Sequence, residues 1–291
     1  MRPVYRLPTP DMIKGSSETL AGRIAYTELT PFSWLEVSAT VAMQDHWLKG
    51  GFPQALLAGK LTQTQRWLRQ FIETFVQRDL RELGQQVSPP LVERMLEMIA
   101  SLHAQILNQT DLGRSLGISQ PTVSRYLDLL EGGFIIHRLQ PYFANVSKRI
   151  VKQPKIYIRD SGILHSMIGI HAYAHLLGHA SIGASWEGYV IEQIRRVVGG
   201  EWKFYFYRTH KGAESDLVLM TPDGKKICIE IKRSASGTVS RGFYETLTDL
   251  QPDHRFVIIP EGDAYPKEQD IWVCSLDELL KTRLPAIYAL G

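Results

Sequence analysis

Residues 214–234 read ESDLVLMTPDGKKICIEIKRS. Two alternating apolar runs flank Thr221-Pro222-Asp223-Gly224-Lys225, a pattern that predicts a β-hairpin. Pro222 supplies the dihedral that opens a type I turn, and Gly224 suits the left-handed position of a three-residue loop. That loop pairs Thr221 with Lys225. Counting back along both strands then sets Asp216 opposite Glu230, and Glu214 opposite Lys232. Directly opposite residues share a face, whereas a two-residue Asp223-Gly224 turn would send Asp216 and Glu230 to opposite faces. Facing carboxylates repel one another. A divalent cation resolves that conflict, since Mg²⁺ takes one or two carboxylates and keeps several waters.

The next residues outward extend this reading. In SWEGYVIEQIRRVV, Trp186, Val190, Ile191, Ile194 and Val197 have the spacing of one helical face, and Glu187 sits one turn before Val190 and Ile191. The candidate metal ligands are therefore Asp216, Glu230 and Glu187, for Mg²⁺ or Mn²⁺. Lys232, two residues after Glu230, lies on the same face and could orient a water or stabilise a phosphate. Glu187, Asp216, Glu230 and Lys232 together form a candidate catalytic set for phosphodiester hydrolysis. The plainer reading is a solvated hairpin face on which Lys232 neutralises two acids. Further strands are expected at KFYFYR, RFVIIP and DIWVCS, with helices at DSGILHSMIG, GFYETLTDL and LDELLK. Such alternation predicts an α/β or mixed domain around a central sheet.

Upstream lies a second pattern. Residues 91–102 are helical in periodicity. Thr110 or Asp111 opens a short helix ended by Gly117, and Ser119 opens a second helix with Pro121 in its first turn. This is helix-turn-helix spacing, and the alternating segments after it read as a hairpin wing. In such a motif the second helix enters the major groove. Gln120, Thr122, Ser124 and Arg125 are then the candidate base-reading residues, and Lys148, Arg149, Lys152 and Lys155 the candidate phosphate contacts. Between Ser101 and Asp160, eight Lys and Arg face four Asp and Glu, although the whole chain carries only +3. The same motif used for protein contacts alone is the competing reading.

The N-terminal third is less distinctive. GSSETLAGRIAYTEL reads as a helix capped by Ser16 or Ser17, followed by a strand. TQRWLRQFIETFVQRDL reads as an amphipathic helix. No G-x-x-x-x-G-K-[ST] loop occurs in the 291 residues, and Ala58-Gly59-Lys60-Leu61 lacks both the earlier Gly and the hydroxyl. His171, His175 and His179 have a spacing that can bind zinc, but Gly178 interrupts the helix and no cysteine is close. Cys228 and Cys274 are the only cysteines, so no disulfide framework is expected and a reducing cytoplasm fits. No signal peptide and no bilayer-length apolar run is expected.

Several stretches, in order along the chain, carry a resemblance: LAGRIAYTELTPFS, GGFPQALL, FIETFVQRDL, LGISQPTVSRYLDLLEGGFII, PKIYIRDSGIL, WEGYVIEQI and YRTHKGAESDLVL with IEIKRS. They resemble the predicted AAA+ ATPase family whose C-terminal part is called DUF4143. The acid followed by Glu230-x-Lys232 also resembles the PD-(D/E)xK nuclease-like motif, which is short. The resemblance implies an ATPase module, a winged helix and a restriction-endonuclease-like domain. Here the expected fold is a multidomain α+β / α/β chain, with a helical and winged-helix N-terminal half and an α/β C-terminal domain. Residues 1–40 would be a remnant of the ATPase module, 41–87 a helical linker or lid, 88–158 the winged helix-turn-helix, and 159–291 the nuclease-like domain. The phosphate-binding loop and acidic metal strand are missing, so no ATP site is carried over. The chain reads as a truncated member or one with a misassigned start. The resulting expectation is a DNA-binding protein with a metal-dependent nuclease-like domain and no membrane partner. The alternatives are a non-catalytic DNA-binding regulator, or a scaffold that binds a protein partner or a second copy of itself.

Overall fold

The computed structural model describes residues 28–80, 87–144 and 148–288. The helix and strand expected over GSSETLAGRIAYTEL lie almost wholly outside these residues.

Four helices open the described chain: α1 (Trp34–Val37), α2 (Met43–Lys49), α3 (Pro53–Leu56) and α4 (Leu61–Thr74), the last running into a π-helical turn at Phe75–Asp79. Then follow α5 (Pro89–Ser101), the two-residue strand β1 (Gln105–Ile106), α6 (Gln109–Leu116) and α7 (Gln120–Gly132). The α6–α7 turn forms as the spacing predicts, with Gly117 left-handed at φ 69°. The cap of α6 differs. Asn108, not Thr110 or Asp111, accepts the N–H groups of Thr110 and Asp111, because an amide oxygen before the first turn reaches both unpaired donors.

Strands β2 (Ile136–Pro141) and β3 (Lys155–Ile158) pair antiparallel, and β1 pairs with β3. They were expected to form a free wing. Instead Gln140 and Pro141 of β2 pair in parallel with Tyr205 and Phe206 of β4 (Lys203–Arg208). The helices α8 (Ser161–Met167), α9 (Tyr173–Leu177) and α10 (Ile182–Val198) lie between β3 and β4 in sequence. After β4 come β5 (Glu214–Met220), β6 (Lys226–Ile231), α11 (Arg241–Leu250), β7 (His254–Ile259), β8 (Tyr265–Pro266) and β9 (Ile271–Ser275). The described strands make one sheet ordered β1-β3-β2-β4-β5-β6-β7-β9-β8. The result is a mixed α/β molecule with a helical N-terminal half and a mixed sheet in its C-terminal part. Among the described residues, no helix is long and apolar enough to cross a membrane.

The two faces of the C-terminal sheet have separate cores. Leu217, Leu219, Ile227 and Ile229 pack with Trp186, Val190 and Ile194 of α10. Val218, Cys228 and Val257 pack with Phe243, Leu247 and Leu250 of α11. A third core fills the helical half, and β3 serves two of them. Ile156 and Ile158 face the helical core, while Tyr157 faces the α10 core. Full burial on both sides leaves β3 no solvent face, so any charge it carries needs a partner inside the protein.

Candidate functional site

The hairpin register is the expected one. Thr221 N–H donates to Lys225 C=O, Gly224 has φ 86°, and Leu217 pairs with Ile229. Continued by one step, the register sets Asp216 opposite Glu230. Their carboxylates nevertheless have separate partners. Glu230 is 4 % exposed. Its Oε2 accepts the Ser240 N–H at the start of α11 (3.1 Å), and its Oε1 lies 2.8 Å from Lys232 Nζ. Glu230 thus serves the α11 face, where its neighbour in alternation, Cys228, also lies.

Asp216 belongs elsewhere. Between Tyr205 and Tyr207 the β4–β5 register shifts, with Tyr205 opposite Val218 but Tyr207 opposite Ser215. Strand β5 therefore carries one extra residue there, a bulge that breaks the alternation before Leu217. The Ser215 hydroxyl bonds the carbonyls of Leu217 and Ile229, and Asp216 Oδ2 accepts the Ile231 N–H at 2.8 Å. Asp216 Oδ1 lies 3.9 Å from Lys155 Nζ.

Lys155 is the centre of this second group. Its ammonium is 3.1 Å from Glu187 Oε1 and 3.3 Å from Glu214 Oε1, with its side chain only 4 % exposed. Tyr157 O–H donates to the same Glu187 oxygen at 2.6 Å. The ammonium also lies 5.6 Å from the centre of the Phe206 ring, and Arg208 reaches Glu214 at 3.8 Å. Burial works against the lysine's charge, but Glu187, Asp216 and Glu214 outweigh it and hold the group above its ordinary range. Burial, then the Glu187 charge, raises the Asp216 carboxyl to about 7, against the pull of Lys155 and the Ile231 N–H. Burial and Glu187 also push the Tyr157 phenol upward. Helix α10 reaches this depth because Gly188 has no side chain. A Cβ there would stand 2.3 Å from His103 Nε2.

The expected metal set therefore does not fit as drawn. Glu187 and Asp216 come together, but around an ammonium. Glu230 and Lys232 pair with each other. Among the described residues, no three His, Cys, Asp or Glu side chains are arranged to hold a metal ion. The physical reason is that each carboxylate already has a cation or an N–H within reach, so the repulsion that called for an ion is relieved by the chain itself.

The candidate nucleic-acid contacts divide in the same way. Gln120 and Arg125 are exposed on α7, while Thr122 and Ser124 are half-buried. The Thr122 hydroxyl bonds that of Ser119 at 2.9 Å. Arg149 and Lys152 are exposed. Lys148 and Lys155 are corrections. Lys148 Nζ pairs with Asp249 of α11 at 2.8 Å, because the segment after β2 lies along β4, where Ile150 bridges to Thr209. Lys155 is the buried ammonium described above. Arg138 is also committed internally, its Nε donating to Glu131 at 2.7 Å. Much of the local positive charge thus balances acids inside the fold.

Tyr157 and Glu214 were not among the sequence candidates, and Lys155 was one only as a phosphate contact. One signal was present. In Lys155-Ile156-Tyr157-Ile158-Arg159 the polar residues alternate with isoleucines, a strand pattern whose polar face needs company once the strand is buried. Nothing local said that Glu187 would supply it.

An uncharacterized protein of Mycobacterium tuberculosis and one of Mycobacterium bovis are each 36 % identical to the chain over 281 residues, covering 94 % of it. The chain spans 63 % of the length of these relatives. No solved structure gives a significant match. Two family models match, both described as domains of unknown function. The Lys155–Glu187 contact joins the two matched segments. Residues 41–174 match the DUF8612 model, and residues 182–279 match the DUF4143 model.

Proposed function

We propose that the chain is a DNA-binding protein whose C-terminal domain is nuclease-like in layout and does not cut. The observation that carries this reading is the α6–α7 pair. Its second helix presents exposed Gln120 and Arg125 near its N-terminus, and exposed Arg149 and Lys152 are available for phosphates. Charge compensation accounts for the absence of cutting. Lys155 and Lys232 already neutralise the acids a catalytic ion would need.

The order of Asp216, Glu230 and Lys232 on paired strands favours a second reading, metal-dependent phosphodiester hydrolysis. It requires Asp216 and Glu230 to leave their present partners.

A gel-shift and nicking assay with and without Mg²⁺ separates the readings. DNA binding should need no Mg²⁺, should weaken with salt, should fall in Arg125→Ala and should persist in Glu230→Gln. Nicking that needs Mg²⁺ and disappears in Asp216→Asn would replace the first reading with the second. Absence of binding at moderate salt would leave only the protein scaffold.

A further inference from the structure

We propose that the Lys155 ammonium is the built-in counter-cation of the Glu187–Glu214–Asp216 cluster and keeps divalent metal out of it. On this account, removing the lysine's charge turns the cluster into a metal site. The inference goes beyond the proposed function, because it assigns the cluster an occupant whether or not the chain binds DNA.

Three contacts support it. One Nζ atom reaches three carboxylates, at 3.1, 3.3 and 3.9 Å. Its side chain is 4 % exposed, whereas those of Glu187, Glu214 and Asp216 keep 17, 34 and 17 %, so water reaches only the outer side of the acids and the ammonium fills the inner one. The ammonium comes from β3, whereas Glu187 comes from α10, and Glu214 and Asp216 from β5. Two elements far apart in sequence thus converge on one point charge supplied by a third.

The position suits a compact cation. A lysine ammonium is a small charge on a flexible stem. A hard divalent cation uses the same carboxylate oxygens but binds them closer, at about 2.0–2.1 Å for Mg²⁺. Both cannot hold those oxygens together. The lysine has the advantage of being covalently attached, so it is present at any metal concentration. The ammonium lies 5.6 Å from the centre of the Phe206 ring, whose electron-rich face favours a cation. Tyr157, bonded to Glu187 Oε1, holds one of the acids in place with or without the ammonium.

The test uses the whole chain and Mn²⁺ as the probe, read by electron paramagnetic resonance and calorimetry. Wild type should take up no saturable Mn²⁺. Lys155→Met keeps the stem's bulk but loses the charge, and it should bind one Mn²⁺ per chain, at least about tenfold tighter than wild type. Lys155→Arg retains the charge and should exclude Mn²⁺ as wild type does. Adding Asp216→Asn to Lys155→Met should abolish the new binding. If Lys155→Met does not fold alone, its refolding from urea should recover with Mn²⁺ and not without metal. The proposal is overturned if wild type binds one Mn²⁺ that Asp216→Asn removes. It is equally overturned if folded Lys155→Met binds none, or if unfolded Lys155→Met is not rescued by the ion. Neither readout involves DNA, so DNA binding and metal exclusion can fail separately.

Discussion

Helix α10 carries a half-buried glutamate, Glu187, and a buried one, Glu192, five positions apart, and their surroundings are opposite in charge. Glu187 shares a single ammonium with Glu214 and Asp216. Glu192 is a single carboxylate among guanidinium groups. Its Oε2 is 3.1 Å from Arg159 Nε and its Oε1 is 3.4 Å from Arg195 Nε. Arg195 also reaches His137 at 2.7 Å, and Arg159 reaches Glu28 at 2.8 Å. Burial opposes the charge on Glu192, but Arg159 and Arg195 outweigh it and hold the carboxyl at about 2. Asp216, in the acid-rich cluster, moves the other way, to about 7. The contrast teaches that depth alone does not decide whether a buried carboxyl keeps its proton. The balance of charges brought by neighbouring elements decides it. Lys155 of β3 and Arg159, the residue just after that strand, both reach α10, so each cluster is also a bolt between the two matched segments.

The comparison can be broken most strongly at Glu192. Glu192→Gln leaves half-buried Arg195 without its carboxylate and Arg159 with Glu28 alone, and should cost about 3 kcal/mol in urea denaturation. Lys155→Met, measured without metal, should cost less than that but more than about 1 kcal/mol, because a carboxyl can take up a proton and a guanidinium cannot release one. If the two variants lose equal stability, the asymmetry is wrong.

Acid should act on the surroundings of both clusters. His46 and His165 are lowered to about 4, and His103 to about 3, mainly by burial. Their folded-state values lie below the unfolded value, so they stay neutral when folded. The stability they contribute is therefore present above about pH 6.5 and lost as pH falls toward 4. Each histidine should add up to about 1.4 kcal/mol per pH unit to that slope. A denaturation series that is flat across the window would contradict the burial of these rings.

Smaller effects test the surface. Lys148→Ala removes a half-exposed pair with Asp249 and should cost about 0.2–1 kcal/mol. It should leave DNA binding unchanged, since its charge is spent inside the fold. Arg125→Ala removes a guanidinium 5.4 Å from the Tyr126 ring and should cost up to about 1 kcal/mol while weakening DNA binding in a gel shift. If Lys148→Ala weakens binding more than Arg125→Ala does, the assignment of the basic residues is reversed.

Local chemistry made much of the fold legible. Pro222 and Gly224 specified the hairpin loop, and with it the Thr221–Lys225 register. Gly117 and Pro121 specified the turn between α6 and α7. The amphipathic period of Leu61–Thr74 specified its helix. The candidate site was legible only in part. Glu187 and Asp216 were identified and do come together, but the cation between them was assigned to a wing in solvent. That error has a definite source. Whether β3 is an exposed wing or an inner strand depends on β2 pairing with β4, and those strands are separated by more than sixty residues of intervening chain.

By itself the sequence determined where the elements begin and end, since caps, turn residues and side-chain periodicity act within a few residues of one another. It also determined which residues had chemistry to offer. The tertiary structure alone decided which charge meets which. A one-residue bulge in β5 re-aimed Asp216, and the burial of β3 turned Lys155 from a surface cation into an internal one. Electrostatic pairing depends on distance and solvent exclusion, and both are set by elements that are far apart in the chain.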